Sequence, residues 1–343
     1  MSGIPSQTAS MPTSTLSVAL VAGATRGAGR GIARALGEAG AIVYCTGRSV
    51  RGNPSPYKRP ETIEETAEMI TAAGGTAIAL RVDHGVEADV RALFERIERD
   101  HGRLDVLVNS VAGEDPMMRQ WARLWEADLT NGETILRQAL LSHIITAKYA
   151  AALMIKNHRG LIVEVTENDI LLAGGNILAQ IVKFSHKALP AIWAPELRAH
   201  GVAAVAITPG FLRSERILEH FGVTEENWRE AGKKDKNFLE SESPLYVGRA
   251  IVALAQDPNV LARSGHLFSS WELSREYGFK DADGRRPDWG ALAVDYSQLP
   301  GWLMQAIADS AAMQAAWLKV LFERTERYHA SLPGSRVTAG DHS

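Results

Sequence analysis

The sequence is poor in cysteine, because Cys45 is the single one among 343 residues. One cysteine excludes an intrachain disulfide and any metal site that needs several thiolates, so we expect no metal centre of that kind. A chain without disulfides fits a reducing compartment. The composition therefore predicts a cytoplasmic protein.

An excess of charge of either sign is also missing. Lys and Arg number 37, Asp and Glu number 40, and the formal net charge is −3. These charges are spread along the chain, so they offer no broad basic surface to a phosphate backbone. We therefore do not expect nucleic acid as a partner.

Long hydrophobic runs are absent as well. A membrane-spanning helix needs about 18 or more apolar residues in a row, whereas the most apolar stretch, at 144–155, contains Lys148 and Tyr149. We therefore expect no membrane partner. Residues 1–16 are rich in Ser, Thr and Pro and lack the basic region and apolar run of a secretory signal, so they predict a disordered leader.

What the sequence does contain is an alternation of short apolar runs with helical segments. Hydrophobic residues make up 45% of the chain, which is enough for a large core. The apolar runs lie at 17–22, 41–46, 77–82, 106–109, 161–166, 202–207 and 265–270, and helical periodicity lies at 29–38, 62–73, 87–101, 136–156, 179–200 and 244–256. This alternation predicts parallel strands covered by helices on both faces, which is a doubly wound α/β sheet.

Two segments lie outside this alternation. Residues 215–242 are charged and contain three aromatic side chains that suggest an apolar lid over a pocket, Phe221, Trp228 and Phe238. Residues 274–343 form an extension, in which 301–328 carries a helical apolar stripe of the kind that packs on a core or a second subunit. The predicted organisation is a leader at 1–16, one sheet domain at 17–273 with its lid, and a C-terminal helical extension.

Closely spaced glycines follow the first predicted strand. Gly23, Gly27 and Gly29 come directly after Val-Ala-Leu-Val-Ala at 18–22 and directly before a helix. Glycine lets the backbone approach a ligand closely, and the N–H groups at a helix N-terminus favour a phosphate. The arrangement predicts a dinucleotide pyrophosphate on this turn, which also contains Thr25 and Arg26.

The spacing Gly-x-x-x-Gly-x-Gly resembles that of the short-chain dehydrogenase/reductase family. Further landmarks follow in the family's order: Asp83 after the third strand, Asn109 at the end of the fourth, Lys183 on a helix, and Pro209-Gly210 after the sixth strand. The resemblance extends over about residues 17–273. It implies a Rossmann fold, a nicotinamide cofactor and hydride transfer to or from a small-molecule substrate.

The end of the second strand indicates which nicotinamide cofactor is bound. An NAD site places a carboxylate there for the ribose 2′-OH, whereas a 2′-phosphate needs cations. Here Gly47 takes the carboxylate's position, Arg48 follows, and Arg26 lies in the glycine turn, so we expect NADP(H). The alternative is that both arginines are solvated loop residues. The resemblance also implies that Asp83 contacts the adenine, Asn109 the adenosine ribose and Ser214 the carboxamide. Pro209 and Gly210 belong to the cofactor site as well.

The catalytic end departs from the family pattern. The resemblance implies a Ser that binds the carbonyl, a Tyr that acts as acid and base, an Asn, and a Lys four residues after the Tyr on the same helix face. Counted back from Pro209-Gly210, Lys183 matches the family lysine, but Ala179 stands at the tyrosine position. Glu167 stands at the serine position and Ala139 near the asparagine position, so by this ungapped count only Lys183 remains.

Other side chains are candidates for the missing acid or base. Glu167 and Asp169 follow the fifth strand, at the edge where open α/β sheets bind ligands. A partly buried Glu167 would have a raised pKa, and the alternative is a solvated loop carboxylate. Gln180 can form hydrogen bonds but does not transfer protons at neutral pH. His143 and Tyr149 qualify only if they face the cleft, because such residues on an apolar helix more often serve packing.

Three functional hypotheses follow from these residues. The first is an NADP(H)-dependent oxidoreductase in which Glu167, a substrate group or water replaces the tyrosine as proton donor. The second is an enzyme of the same fold with a non-redox step, such as a cyclase, isomerase or lyase type of proton transfer. The third is a sensor that binds NADP(H) without catalysis. The missing tyrosine weighs against ordinary carbonyl reduction, because a positioned acid or base contributes about 10²–10⁴ in rate.

The resemblance also implies an assembly of identical subunits. We expect a homodimer or homotetramer that pairs through the helices at 136–156 and 179–200, whose Ala-rich faces permit close packing. An apolar lid would suit a bulky, mostly hydrophobic small molecule as substrate.

Overall fold

The computed structural model describes residues 18–54, 59–112, 117, 122–167, 176–292, 301 and 305, and these contain one parallel sheet. Its strands are β1 (Val18–Ala22), β2 (Ile42–Gly47), β3 (Thr76–Arg81), β4 (Val106–Asn109), β5 (Gly160–Val165), β6 (Val202–Thr208) and β7 (Leu267–Ser269). They lie in the order β3-β2-β1-β4-β5-β6-β7, and all neighbours are parallel. The predicted doubly wound, Rossmann-like sheet is confirmed. The predicted leader, Asp169 and most of 301–328 lie outside the described residues.

Helices connect the strands and cover both faces of the sheet. They are α1 (Gly27–Glu38), α2 (Ile63–Ala72), α3 (Glu87–His101), α4 (Gly132–Leu136), α5 (Ser142–Lys156), α6 (Ile177–Arg198), α7 (Glu215–Phe221), α8 (Pro244–Gln256) and α9 (Ser270–Tyr277). Local signals fix several ends. Thr62 and Glu65 form a reciprocal capping box at the start of α2, and Gly102, at φ +66°, ends α3.

The sheet separates two apolar layers. One contains residues of α1, α2 and α8 packed against β1 and β2, and the other contains residues of α3 and α5 packed against β1 and β4. All five residues of β1 are buried, because it is a central strand with a helix layer on each side. Gly31 of α1 lies so close to α8 that a Cβ would be 2.2 Å from the backbone of Pro244. Glycine at this position therefore permits the α1–α8 contact.

A continuous helical stretch, Gly132–Lys156, is long and apolar enough to cross a membrane by length and composition. It comprises α4, a π-helical turn at Arg137–Leu141, and α5. Ala147, Leu153 and Met154 on this stretch are buried against the sheet. A core helix of a globular domain meets the same criterion, so the stretch is not by itself evidence of a membrane span.

The direction in which the chain adds strands reverses between β1 and β4, because β2 and β3 lie on one side of β1 and β4 to β7 lie on the other. Helices leave the sheet in opposite directions on the two sides of this point, so a crevice opens beyond the carboxyl ends of the strands. The crevice is the place where ligands bind in doubly wound sheets.

Candidate cofactor and active site

A cavity of about 940 Å³ occupies this crevice. The predicted site residues that line it are Gly23, Thr25, Arg26, Gly27, Gly29, Arg48, Asp83, Glu167, Lys183, Pro209, Gly210 and Ser214. The structure thus brings together all the predicted cofactor and catalytic residues except Asn109.

The glycine turn forms a cradle that side chains would fill. A Cβ on Gly23, whose φ is +88°, would lie 2.4 Å from the carbonyl oxygen of Ser110, and a Cβ on Gly29 would lie 2.1 Å from the carbonyl oxygen of Gly23. Both contacts are with backbone atoms, so neither is relieved by a side-chain rotation. The turn leads directly into α1, whose first N–H groups have no partner within the helix and favour an anion. These features fit a cofactor pyrophosphate.

Cationic side chains lie at the end of β2. Arg48 Nη2 is 3.5 Å from Gln138 Oε1, and Arg48 Nη1 is 4.0 Å from Asp83 Oδ2. Arg26 Nε donates to Glu61 Oε2 at 3.1 Å, but its Nη2 is buried with no hydrogen-bond partner in the described part of the chain. Burial lowers the pKa of Arg26, and the Glu61 carboxylate at 3.1 Å partly offsets the cost of burying this charge. Arg26 and Arg48 both line the cavity, and two guanidinium groups there fit a phosphate group.

Asn109 does not occupy the position expected from the resemblance. Its side chain is fully buried beneath the cavity, where Nδ2 donates to Glu164 Oε1 at 2.6 Å and to the His143 carbonyl at 3.2 Å. These partners hold the amide away from the cavity, so the expected contact with the adenosine ribose is wrong for this side chain. The neighbouring Ser110 and Val111 line the cavity instead.

Lys183 and Glu167 form an ion pair at the catalytic end. Lys183 Nζ lies 3.2 Å from Glu167 Oε1, and the lysine side chain is 16% exposed against 61% for the glutamate. The Lys183 cation lowers the pKa of Glu167, so the raised pKa expected from partial burial is wrong. At neutral pH, Glu167 is a carboxylate that can accept a proton or orient a donor.

The positions expected for the family's tyrosine and asparagine carry alanines with packing roles. Ala179 lies one turn before Lys183 on α6 and packs beside Ile135 and Leu178. Ala139 is fully buried in the π-helical turn, and its carbonyl oxygen is 2.6 Å from His186 Nε2. Neither side chain carries a proton that a reaction can use.

A buried histidine–glutamate cluster lies beneath this end of the cavity. His143 Nδ1 is 2.6 Å from Glu164 Oε2, and His143 Nε2 is 3.0 Å from the carbonyl oxygen of Val111. Both nitrogens face acceptors, so the pair holds a proton on each nitrogen or shares one with the carboxylate. His143 was one of the candidate acids, and its ring lies under the cavity wall rather than in the cleft. Tyr149, another candidate, donates to Glu87 Oε1 on α3 at 3.1 Å, on the far side of the helix.

His186 and His84 line the cavity from the same region. His186 stacks on His143 with ring centroids 4.2 Å apart, and desolvation lowers its pKa well below the ordinary value. His84, held between Thr46 and Thr146, has a pKa lowered to about 3 by burial. Both imidazoles are neutral at neutral pH.

Atoms of His143, Glu164 and His186 lie within 4.8 Å of one another, which is close enough to suggest a metal site. The two imidazole rings are parallel, however, so their in-plane lone pairs point along separate planes. This arrangement suits a single metal ion poorly.

The predicted lid has an apolar interior, and most of the side chains that it turns toward the cavity are polar. Phe221, Trp228 and Phe238 are buried against one another and against Phe211, forming a small core of their own. These three rings therefore do not form the apolar surface over the pocket that the sequence suggested. The residues of this segment that line the cavity are Glu215, Arg216, Ile217, Asp235 and Asn237.

Several lining residues were missed by the sequence analysis. His186 had a usable signal, because it follows Lys183 by three residues on one helix face. Arg59, Gln138 and Trp289 had none. Trp289 belongs to the turn-rich segment after α9 and reaches the cavity beside Gly210, where its Cβ lies 2.9 Å from the position of a Gly210 Cβ.

The sheet topology and the glycine cradle define a Rossmann-like α/β protein, and comparisons with known proteins give its family. A family model described as short chain dehydrogenase matches residues 17–220. Dehydrogenase/reductase SDR family member 1 of Mus musculus and of Homo sapiens are 37% and 36% identical over 293 residues, covering 83% of this chain and 90% of each relative. A hydroxysteroid dehydrogenase from Escherichia coli has the same fold, with a TM-score of 0.58 and 21% identity over 74% of this chain and 94% of that one.

The chain therefore belongs to the short-chain dehydrogenase/reductase family of oxidoreductases. Members of this family bind nicotinamide cofactors, and the resemblance stated from the glycine spacing is confirmed at the level of the family.

Proposed function

We propose that the protein is an NADP(H)-dependent oxidoreductase that acts on a small molecule without a tyrosine acid. The observation that carries this proposal is the 3.2 Å pair of Lys183 and Glu167 at the end of a cavity whose other end combines the glycine cradle with Arg26 and Arg48. The cofactor, when bound, supplies or accepts the hydride. The residues of this chain supply its binding site and the proton chemistry.

The preference for NADP(H) is supported by charge at the end of β2. Gly47 leaves no carboxylate at the strand end, and Arg26 and Arg48 both line the cavity. Arg59 lines it as well. A 2′-phosphate would gain charge-assisted hydrogen bonds from Arg48, whose contacts with Gln138 and Asp83 are long, at 3.5 and 4.0 Å, whereas a ribose hydroxyl would gain only a neutral hydrogen bond.

The proton chemistry is proposed to differ from the family pattern at three positions. Ala179, Glu167 and Ala139 replace the tyrosine, serine and asparagine that the resemblance implies. Ionised Glu167 is suited to accept a proton or to hold a water molecule, and Lys183 keeps its charge balanced. In the direction of reduction, water or a substrate group therefore gives the proton.

A second candidate is favoured by the same ionised carboxylate. A base beside a lysine can abstract a proton next to a carbonyl, which is the chemistry of a non-redox isomerase or lyase. Lowering of the pKa of Glu167 by Lys183 keeps this carboxylate ionised, so it is available to accept a proton, although the same shift makes it a weaker base. This candidate predicts substrate conversion with no net change in NADPH.

The test is consumption of NADPH with a panel of carbonyls, enones and imines, together with product analysis. Wild-type protein is compared with Ala179→Tyr and with Ala179→Phe, which matches its bulk without the hydroxyl. Consumption of NADPH with an activated alkene or iminium by the wild type, and a gain of carbonyl reduction by Ala179→Tyr alone, are the expected results. Conversion without NADPH consumption would instead establish the non-redox candidate, and binding without any conversion would indicate a sensor.

We further propose a cytoplasmic homo-oligomer that pairs through α5 and α6. Three large apolar residues on α6 support this assembly, because Ile181, Phe184 and Ile192 are 43%, 45% and 62% exposed. Light scattering of the purified protein gives the subunit number. A monomeric mass at micromolar concentration would contradict the proposed pairing.

A further inference from the structure

We propose that Glu215, the first residue of α7, lowers cofactor affinity by competing with a cofactor phosphate for the N-terminus of α1. The inference rests on the proposed dinucleotide site but does not depend on the reaction. The carboxylate of Glu215 and a phosphate of the cofactor would accept a hydrogen bond from the same backbone N–H group.

The carboxylate of Glu215 accepts a hydrogen bond from the N–H of Gly27 at 2.8 Å. Gly27 is the first residue of α1, and its N–H is one of the donors at the N-terminus that have no partner within the helix. The positive end of the helix dipole adds to the attraction for an anion at this point. A cofactor pyrophosphate on the glycine cradle would seek the same donor.

A second contact keeps Glu215 beside α1. Its Oε1 lies 3.4 Å from Nη1 of Arg30, one turn along the helix, and Arg30 is 13% exposed and also paired with Glu65 at 3.0 Å. The carboxylate is itself 28% exposed, so its charge is only partly screened by water. A phosphate at Gly27 would therefore be repelled by Glu215 unless the glutamate turned away toward Arg30 or solvent.

A second ion pair holds α7, the helix that carries Glu215, in place. Glu219, one turn later on α7, accepts from both terminal nitrogens of Arg59 at 2.8 and 2.9 Å. Release of Gly27 by Glu215 therefore need not detach α7 from the cavity. Cofactor binding would therefore be opposed by the loss of the hydrogen bond from Gly27 to Glu215 and by the repulsion between the carboxylate and the phosphate.

Titration with NADPH, NADH and inorganic pyrophosphate tests the inference, with calorimetry as the readout. In Glu215→Gln the Kd for NADPH and NADH should each fall by about tenfold relative to wild type, because both contain the pyrophosphate. Glu226→Gln is the control, since it removes the same charge from an exposed position after α7 and should leave each Kd unchanged. Equal or weaker binding by Glu215→Gln overturns the inference.

Two further arms separate the possible failures. If neither nicotinamide cofactor binds but Glu215→Gln still tightens pyrophosphate, the competition stands and the proposed cofactor is wrong. If Glu215→Gln does not fold, Glu215→Asp replaces it. The aspartate side chain is one methylene shorter, so its carboxylate lies farther from Gly27 and pyrophosphate should bind more tightly than in wild type. Unchanged binding would contradict the proposal.

Discussion

His143 Nδ1 lies 2.6 Å from Glu164 Oε2, and both side chains are completely buried. The other carboxylate oxygen accepts from Asn109, and the other imidazole nitrogen faces the carbonyl of Val111. The pair joins β5 to α5 directly beneath the catalytic end of the cavity. All four hydrogen-bonding atoms of His143 and Glu164 have partners, whereas Oδ1 of the neighbouring Asn109 has none among the described residues.

Removing the charge of Glu164 should therefore destabilise the fold. Glu164→Gln leaves His143 without its anionic partner in a dry site, and we expect the free energy of unfolding to fall by about 3 kcal/mol. Urea denaturation measures this change. Glu98→Gln is the control, because it disrupts the solvent-exposed pair with Lys156 and should have no measurable effect. A similar loss in both variants would show that the buried pair has no special role.

The buried Glu242 predicts an unusual dependence of stability on pH. Its Oε2 accepts from Gly210 at 2.9 Å and from Ser270 at 2.5 Å, while Oε1 has no partner among the residues described. Burial raises the pKa of Glu242 from 4.5 to about 8. The folded state then keeps a proton that the unfolded state loses, so this group's contribution to stability is full below pH 4.5 and is lost as pH rises to about 8.

Glu242→Gln should remove this dependence. Between pH 4.5 and about 8, the free energy of unfolding should fall less in the variant than in wild type. The variant's profile of stability against pH is therefore flatter. Urea denaturation at several pH values from acid to mildly alkaline compares them. Glu230→Gln, at an exposed carboxylate, should retain the wild-type profile. Parallel profiles for wild type and Glu242→Gln would mean that Glu242 is ionised in the fold.

The contact between α1 and α8 should tolerate no side chain at Gly31. Gly31→Ala puts a Cβ 2.2 Å from backbone atoms of Pro244, so one helix must shift, at a cost of about 2 kcal/mol or more. Thermal unfolding measures the loss. Gly132→Ala is the matched control, since a Cβ there would make an ordinary contact with Leu178 at 3.7 Å. An equal effect at both positions would contradict the packing argument.

Arg48 should distinguish the two nicotinamide cofactors. Arg48→Ala removes a cation beside the expected 2′-phosphate, so the Kd for NADPH should rise by about tenfold or more, with little change for NADH. Arg51→Ala is the control, because Arg51 is exposed and paired with Glu68. Equal weakening of both cofactors by Arg48→Ala would remove the assignment of NADP(H).

Local patterns were sufficient to predict most of the fold. The observed strands and helices lie within a few residues of the predicted ones, because the apolar run of a buried parallel strand and the 3.6-residue period of a helix are properties of short segments. The glycine turn was predictable for a similar reason. A Cβ on Gly29 would meet the backbone of Gly23 within the same strand–turn–helix unit, whereas the contact that requires Gly23 comes from Ser110, which follows a different strand.

The orientation of individual polar side chains was not predictable in this way. Glu164 sits in an apolar strand pattern, and only its burial opposite His143, 21 residues earlier, shows it to be part of a polar cluster. Asn109 matched a family landmark in sequence, yet its side chain turns to that cluster. The sign of the pKa shift at Glu167 depends on Lys183, which a different element supplies.

The sequence by itself determined the class of sheet, the glycine turn, the family and the alanine at position 179, since each is encoded in a local pattern or in the identity of one residue. The tertiary structure decided which aromatic rings of the lid form its own core, which carboxylate pairs with Lys183, and that Glu215 reaches the N-terminus of α1 from 188 residues away. These outcomes depend on packing between distant segments. Burial and distance set the strength of a charge or hydrogen bond there, and neither quantity is written in a single stretch of sequence.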